Sequence, residues 1–296
     1  MSSSALTAVR TVSRVTTKQR LGPDAQVDDK AIVIDPTQPA LTDPFLVLAE
    51  DWFSTPGFQW HPHRGLETVT TVLDGVLEHG DNGGHTGALQ PGDVQWMTAG
   101  RGIIHRELAY RDEYAHTLQL WLNLPASSKL VDTRYQDVLS ADRPTFTVPG
   151  VAVDVVSGTV AGVTGPALNH WPVQGALVTL DPAVAFDYPL PADHRAFAYV
   201  LSGDVTVAGR EMTAGQVAWS DPVDEPATES VLPLATPDRG AQAKVMIYSG
   251  RPIREPVAFG GPFVMNHRSE IEAAFRDFHA GGFGEVPRQA RLDFDR

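Results

Sequence analysis

Two stretches decide how this chain is read: His61-Pro62-His63-Arg64-Gly65-Leu66-Glu67 and Gly100-Arg101-Gly102-Ile103-Ile104-His105-Arg106-Glu107. Successive side chains of an extended strand point to opposite faces, so His61 shares a face with His63, and His105 with Glu107. The two pairs offer three imidazoles and one carboxylate as metal ligands. Between them, Glu67 to Leu73 is rich in β-branched residues, Asp74-Gly75 is a turn signal, and Val76 to His79 is expected to pair back as a hairpin. A Gly/Asn-rich loop at 80–84 and Pro91-Gly92 then lead to the apolar Val94-Gln95-Trp96-Met97. That loop has no lysine and no following helix, so it is not a phosphate loop. A compact β-barrel would bring both ligand pairs together.

Outward from this stretch, Asp43 to Asp51 reads as a strand before a Pro56-Gly57 turn, and Tyr114 to Leu124 alternates as a longer one. Pro125 to Lys129 breaks it and opens a linker reaching Pro144. The second half then repeats the first. Thr71-Val72-Leu73-Asp74-Gly75 corresponds to Tyr199-Val200-Leu201-Ser202-Gly203, and Pro91 to Trp96 corresponds to Ala214 to Trp219, at offsets of 128 and 123. Carried outward, these offsets set Pro189 and Pro191 opposite His61 and His63, and Thr228 and Ser230 opposite His105 and Glu107. The second copy is therefore expected to lack a metal site. Near the end, Ser269 to His279 changes to helical spacing, with Ser269 as N-cap and Gly281-Gly282 as the stop.

Composition bounds the function. A formal charge of -13 over 296 residues argues against sequence-independent nucleic-acid binding, and the lack of cysteine removes disulfides, thiolate ligands and a cysteine nucleophile. No apolar run resembles a signal peptide or a membrane span, so a cytoplasmic location is expected. The basic, Ser/Thr-rich N-terminus faintly resembles a transit peptide, but alternation over Val9 to Val15 favours a strand.

His61-Pro62-His63-Arg64-Gly65-Leu66-Glu67-Thr68-Val69, the run from Pro91 to Glu107, and Gly261-Pro262-Phe263-Val264-Met265-Asn266 together resemble the pirins, a branch of the cupin superfamily. Weaker similarity extends over nearly the whole chain. The resemblance implies an all-β bicupin of two jelly-roll β-barrels with a short C-terminal helix. Its domains are drawn at 1–130 (metal-binding barrel), 131–144 (linker), 145–265 (barrel without a metal) and 266–296 (helix and tail). It also implies one metal held by His61, His63, His105 and Glu107. Glu67, a ligand position in many other cupins, is left as an alternate or supporting group. Leu66 and Arg106 depart from the usual pattern, and Arg106 is expected to point away from the metal and alter a surface partner.

Three neutral imidazoles and one carboxylate suit a divalent first-row metal and leave coordination positions open. The family makes Fe(II) the first choice, with nickel, copper, manganese and zinc open. The resemblance further implies a quercetin 2,3-dioxygenase-type reaction, in which a flavonol or related phenolic and O2 react, the central ring opens and carbon monoxide leaves. Glu107 is the expected catalytic base and Glu67 the second choice. The alternative is a non-enzymatic, iron- and redox-responsive regulator that binds a transcription factor or metabolic enzyme. Other polar groups have structural readings: His79 and His85 as exposed loop residues, His116 as a barrel residue, Trp96 and Trp121 as core, and Arg64 with Glu67 as a pair.

Overall fold

The computed structural model describes residues 7–54, 57–223 and 227–287. Pro56 of the expected Pro56-Gly57 turn lies outside them, as does the tail from 288 on. The chain divides into two compact units, one of Gln19–Ala141 with Ile253–Arg296 and one of Met1–Lys18 with Asp142–Pro252. Each is built of β-strands and is called here the first or the second barrel. This division departs from the boundaries expected from the sequence, because each end of the chain joins the barrel that is distant in sequence.

In the first barrel, a seven-stranded sheet runs in the order Arg134–Val138, Val94–Thr98, Leu66–Gly75, Ala115–Asn123, Phe45–Phe53, Asp29–Ile34, Gln19–Arg20. A four-stranded sheet is ordered Phe58–His63, Ile103–Ala109, Leu77–Asp81, Thr86–Leu89. The expected hairpin at Asp74-Gly75 does not form. Leu77–Asp81 pairs with Ile103–Ala109 in the other sheet instead. Gly75 makes the crossing at φ +73, where a Cβ would lie 2.2 Å from the Tyr114 carbonyl oxygen. The expected linker is partly structured, since Arg134–Val138 is the edge strand beside Val94–Thr98.

The second barrel repeats this plan. Its seven-stranded sheet runs Thr145–Val148, Val151–Ser157, Val173–Leu180, Ala243–Gly250, Arg195–Ser202, Gln216–Ser220, Arg14–Thr17, so the edge taken by Arg134–Val138 in the first barrel is taken here by the N-terminus. The strand expected over Val9 to Val15 appears as two, Thr7–Val9 and Arg14–Thr17, flanking the buried Arg10. Its core packs Val178, Val245 and Ile247 of the large sheet against Tyr188, Leu190, Leu232 and Leu234 of the small one.

The helix Arg268–His279 begins one residue before the expected cap. The Glu270 carboxylate accepts the amides of Asn266 (3.1 Å) and His267 (2.8 Å). With the hairpin Ala258–Gly260 and Phe263–Met265 it buries Phe263, Met265, Ile271 and Phe283 against Ile104 of the four-stranded sheet. That sheet is thereby covered on its outer face. Every residue of Ile103–Ala109 is buried, whereas Glu229–Ala235, the corresponding second-barrel strand, alternates between buried and more exposed positions. Among the described residues, no helix is long and apolar enough to cross a membrane.

Candidate metal centre

Phe58–His63 and Ile103–Ala109 pair antiparallel, which sets His105 directly opposite His61. The register shifts between His105 and Glu107, re-aiming the carboxylate relative to the imidazoles. The His61 and His105 ring centroids are 4.3 Å apart, His61 and His63 4.9 Å, and His63 and His105 5.1 Å. One nitrogen from each ring lies within 4.8 Å of the other two.

Backbone oxygens orient two of the rings. His61 Nδ1 lies 2.7 Å from the Gln59 carbonyl oxygen and His63 Nδ1 lies 3.1 Å from that of Pro262. A carbonyl can only accept, so each Nδ1 carries the proton and each Nε2 keeps its lone pair. His63 Nε2 and both His105 ring nitrogens are buried without a hydrogen-bond partner. Burial, then the neighbouring His61, pushes the His63 imidazole down to about 3, and the same causes hold His105 well below the usual histidine range. Three imidazoles that converge, two of them with buried nitrogens that lack protein partners, fit a divalent first-row ion.

Glu107 is not part of the three-ring cluster. It is 2% exposed, and its carboxylate accepts hydrogen bonds from Thr70 Oγ1 at 2.8 Å and Gln119 Nε2 at 2.5 Å. Gln119 is itself fixed, accepting the Trp121 indole N–H at 3.1 Å. Each Glu107 oxygen keeps a further lone pair, so these bonds aim the carboxylate without exhausting it. Asp51, also buried, has its carboxyl pushed up to about 7, by burial first and then by the Glu107 charge. Glu67 accepts a 2.7 Å bond from Thr98 Oγ1.

Several side chains lie elsewhere than the sequence reading expects. Arg64 does not rely on Glu67: it donates to Asp277 at 2.7 Å and to the Arg101 carbonyl at 2.6 Å. Arg106 is buried rather than on the surface, pairing with the fully buried Glu78 at 2.9 Å. The covered outer face of its sheet is the reason. His79 is also buried, with Nδ1 against the Tyr135 hydroxyl and Nε2 3.3 Å from Asp137, because its strand faces the barrel interior. His85 is exposed as expected. His116 stacks on Trp52 at 4.5 Å and contacts Glu50 at 2.9 Å, as a barrel residue. Trp96 is core, whereas Trp121 meets His63 edge-on at 5.1 Å.

The second-barrel equivalents also shift. Ladder register and inward-facing parity together set Tyr188, Leu190, Leu232 and Leu234 where the first barrel has His61, His63, His105 and Glu107. The offsets used on the sequence pointed to Pro189, Pro191, Thr228 and Ser230. The connections differ in length between the copies: the first pair is displaced by one residue, which exchanges the faces of a strand, and the second by four, which keeps the face but moves the position along it. Three of these equivalents are leucines without a donor atom, and burial pushes the Tyr188 hydroxyl above the usual phenol range, against forming a phenolate ligand.

A family model described as Pirin matches residues 13–122, and one described as the Pirin C-terminal cupin domain matches residues 176–284. Human pirin is 39% identical over 260 residues, which is 86% of this chain and 84% of that protein. Pirin-1 of Arabidopsis thaliana is 39% identical over 243 residues, 80% of this chain and 82% of that one. Among solved structures, a quercetin 2,3-dioxygenase from Acinetobacter baumannii superposes with a TM-score of 0.82 at 28% identity, covering 95% of this chain and all of that one. Identity at this level, over four-fifths of the chain or more, makes this protein a member of the pirin family, with its histidine cluster in the first of two cupin barrels.

Proposed function

We propose that this protein is a metal-dependent dioxygenase acting on quercetin or a related flavonol or phenolic. The observation that carries the reading is the convergence of three imidazoles, with the free nitrogens of His63 and His105 buried without partners, in the same barrel as a buried, hydrogen-bonded carboxylate. The likeness to a solved quercetin 2,3-dioxygenase supports the substrate class. We assign His61, His63, His105 and Glu107 as the ligands of one divalent metal, with Fe(II) as the first choice. A metal held there supplies a Lewis-acid centre for a phenolic oxygen.

The protein's own groups then divide the remaining work. Glu107 accepts the flavonol hydroxyl proton, and Thr70 and Gln119 keep its carboxylate aimed while it does so. Asp51 holds a share of a proton near neutral pH beside that carboxylate, giving the interior a second acid. Trp121 closes one side of His63 and keeps Gln119 turned toward Glu107. Half-buried His61 marks the side from which a planar phenol enters, while the buried rings of His63 and His105 exclude water behind it.

The test is anaerobic loading with Fe(II), followed by oxygen uptake and loss of quercetin absorbance, run beside Glu107→Gln. Metal-dependent turnover that the variant loses supports the reading. Full metal occupancy without turnover of any flavonol refutes it and transfers the protein to the redox-responsive regulator class.

A further inference from the structure

We propose that the C-terminal segment of the chain is a lock on the metal centre, with Lys129, Arg64 and Asp277 as positioning residues that keep the Pro262 carbonyl against His63. The inference rests on the three-histidine metal reading above. It starts from the turn that directly follows the ligand pair. Phe263 bridges Arg64 in parallel, and the Val264 amide donates to the Arg64 carbonyl at 3.0 Å. Gly65 sits at φ +79, and a Cβ there would fall 2.1 Å from the Val264 carbonyl oxygen. Only glycine lets the two backbones approach this closely.

Lys129 closes the contact. Its side chain is buried, and Nζ donates to the Gly65 carbonyl (2.8 Å), the Val264 carbonyl (3.0 Å) and Asn123 Oδ1 (2.8 Å). All three ammonium protons are thus used, one on the turn and one on the C-terminal hairpin. Arg64 ties the same turn to the helix through Asp277, and its guanidinium lies 4.4 Å over the Phe283 ring. The other ligand strand is tied in too: Asn82 donates to the Phe283 carbonyl at 2.6 Å and accepts the Ile104 amide, beside His105, at 3.1 Å. The segment so fixed carries Pro262, whose oxygen accepts the His63 Nδ1 proton. That bond selects the tautomer whose Nε2 faces the cluster.

The second barrel supplies the contrast. There the corresponding turn is also held by a buried cation, Arg10, which donates to the carbonyls of Pro191 (2.5 Å), Ala192 (3.0 Å) and His194 (2.8 Å). A buried cation on this turn is therefore a device of the fold. In the first barrel the same device also delivers a carbonyl to an imidazole.

Cobalt(II) titration of the full-length protein, followed by the visible absorption of the bound ion, tests the lock. We expect Lys129→Met and Asp277→Ala to weaken Co(II) binding about tenfold or more and to alter the band, with Asp277→Glu restoring both. Asp154→Ala, which breaks the Arg143 pair of the second barrel, controls for lost stability and should leave binding unchanged. Should Lys129→Met not fold, Asp277→Ala decides, since its side chain is 54% exposed. Wild-type affinity and spectrum in Asp277→Ala, or an equal loss in Asp154→Ala, overturns the lock and leaves the metal reading standing. Absence of Co(II) binding to the wild type, matching His63→Ala, overturns both.

Discussion

The two barrels share one ladder and differ in what they enclose. At positions matched by strand register, Asp51, Thr70, Gln95, Thr117 and Gln119 of the first barrel correspond to Val178, Ala198, Ala218, Val245 and Ile247 of the second. All five second-barrel residues belong to its apolar core. In the first-barrel set Thr70 and Gln119 donate to Glu107, the Asp51 carboxyl is raised in part by the Glu107 charge, and both polar atoms of the Gln95 amide are buried without a partner. Burying polar groups costs free energy, so a fold that closes well on aliphatic side chains does not need them. The first barrel carries them in the sheet that holds Glu107's hydrogen-bond partners, and the second shows what the same sheet looks like when it is filled with aliphatic side chains.

The comparison can be broken most severely at the ligands. His63→Ala is expected to remove all bound metal and all turnover while the far-ultraviolet circular dichroism of the barrels is retained. Next comes the sheet that is covered on both faces. Glu78→Ala leaves Arg106 buried without its carboxylate and should cost about 3–5 kcal/mol in urea unfolding, whereas adding Arg106→Leu should recover most of that loss. Making the first barrel resemble the second is a subtler test. Gln119→Ile with Thr70→Ala removes both hydrogen bonds to Glu107 and should lower metal affinity roughly 10- to 100-fold.

The smallest effect is a pH dependence in the second barrel. Burial lowers the His194 imidazole to about 4, against the opposing pull of Asp193. Below pH 6.5 the unfolded chain takes up a proton that the folded chain refuses, so stability falls by about 1.4 kcal/mol per pH unit down to about pH 4. His194→Gln should flatten that slope in unfolding measured at pH 7 and pH 5. A slope unchanged in the variant would assign the acid sensitivity to other groups.

The clustering of the three histidines was legible because the i,i+2 pairs His61/His63 and His105/Glu107 each set two polar side chains on one strand face, and the repeat because two blocks keep their turns. The matching positions of the second copy were not, since one residue of displacement at Pro189 and Pro191 exchanges inside for outside, and four at Thr228 and Ser230 move the position along the strand, neither leaving a mark in composition. Asp74-Gly75 signals a reversal equally well whether the chain returns to the same sheet or crosses to the other one. Thr70 and Gln119 look like the polar side of a half-exposed strand until the opposite sheet is in place. The return of the C-terminal helix to the first barrel depends on contacts such as Arg64 with Asp277, 213 positions apart, which no local pattern encodes.

Metal analysis after anaerobic reconstitution of the full chain, beside His105→Ala, decides whether the three histidines of the first barrel hold one metal. One divalent ion per wild-type chain and none in the variant is the expected result. Two ions per chain, or one ion retained when His105 is gone, would contradict it.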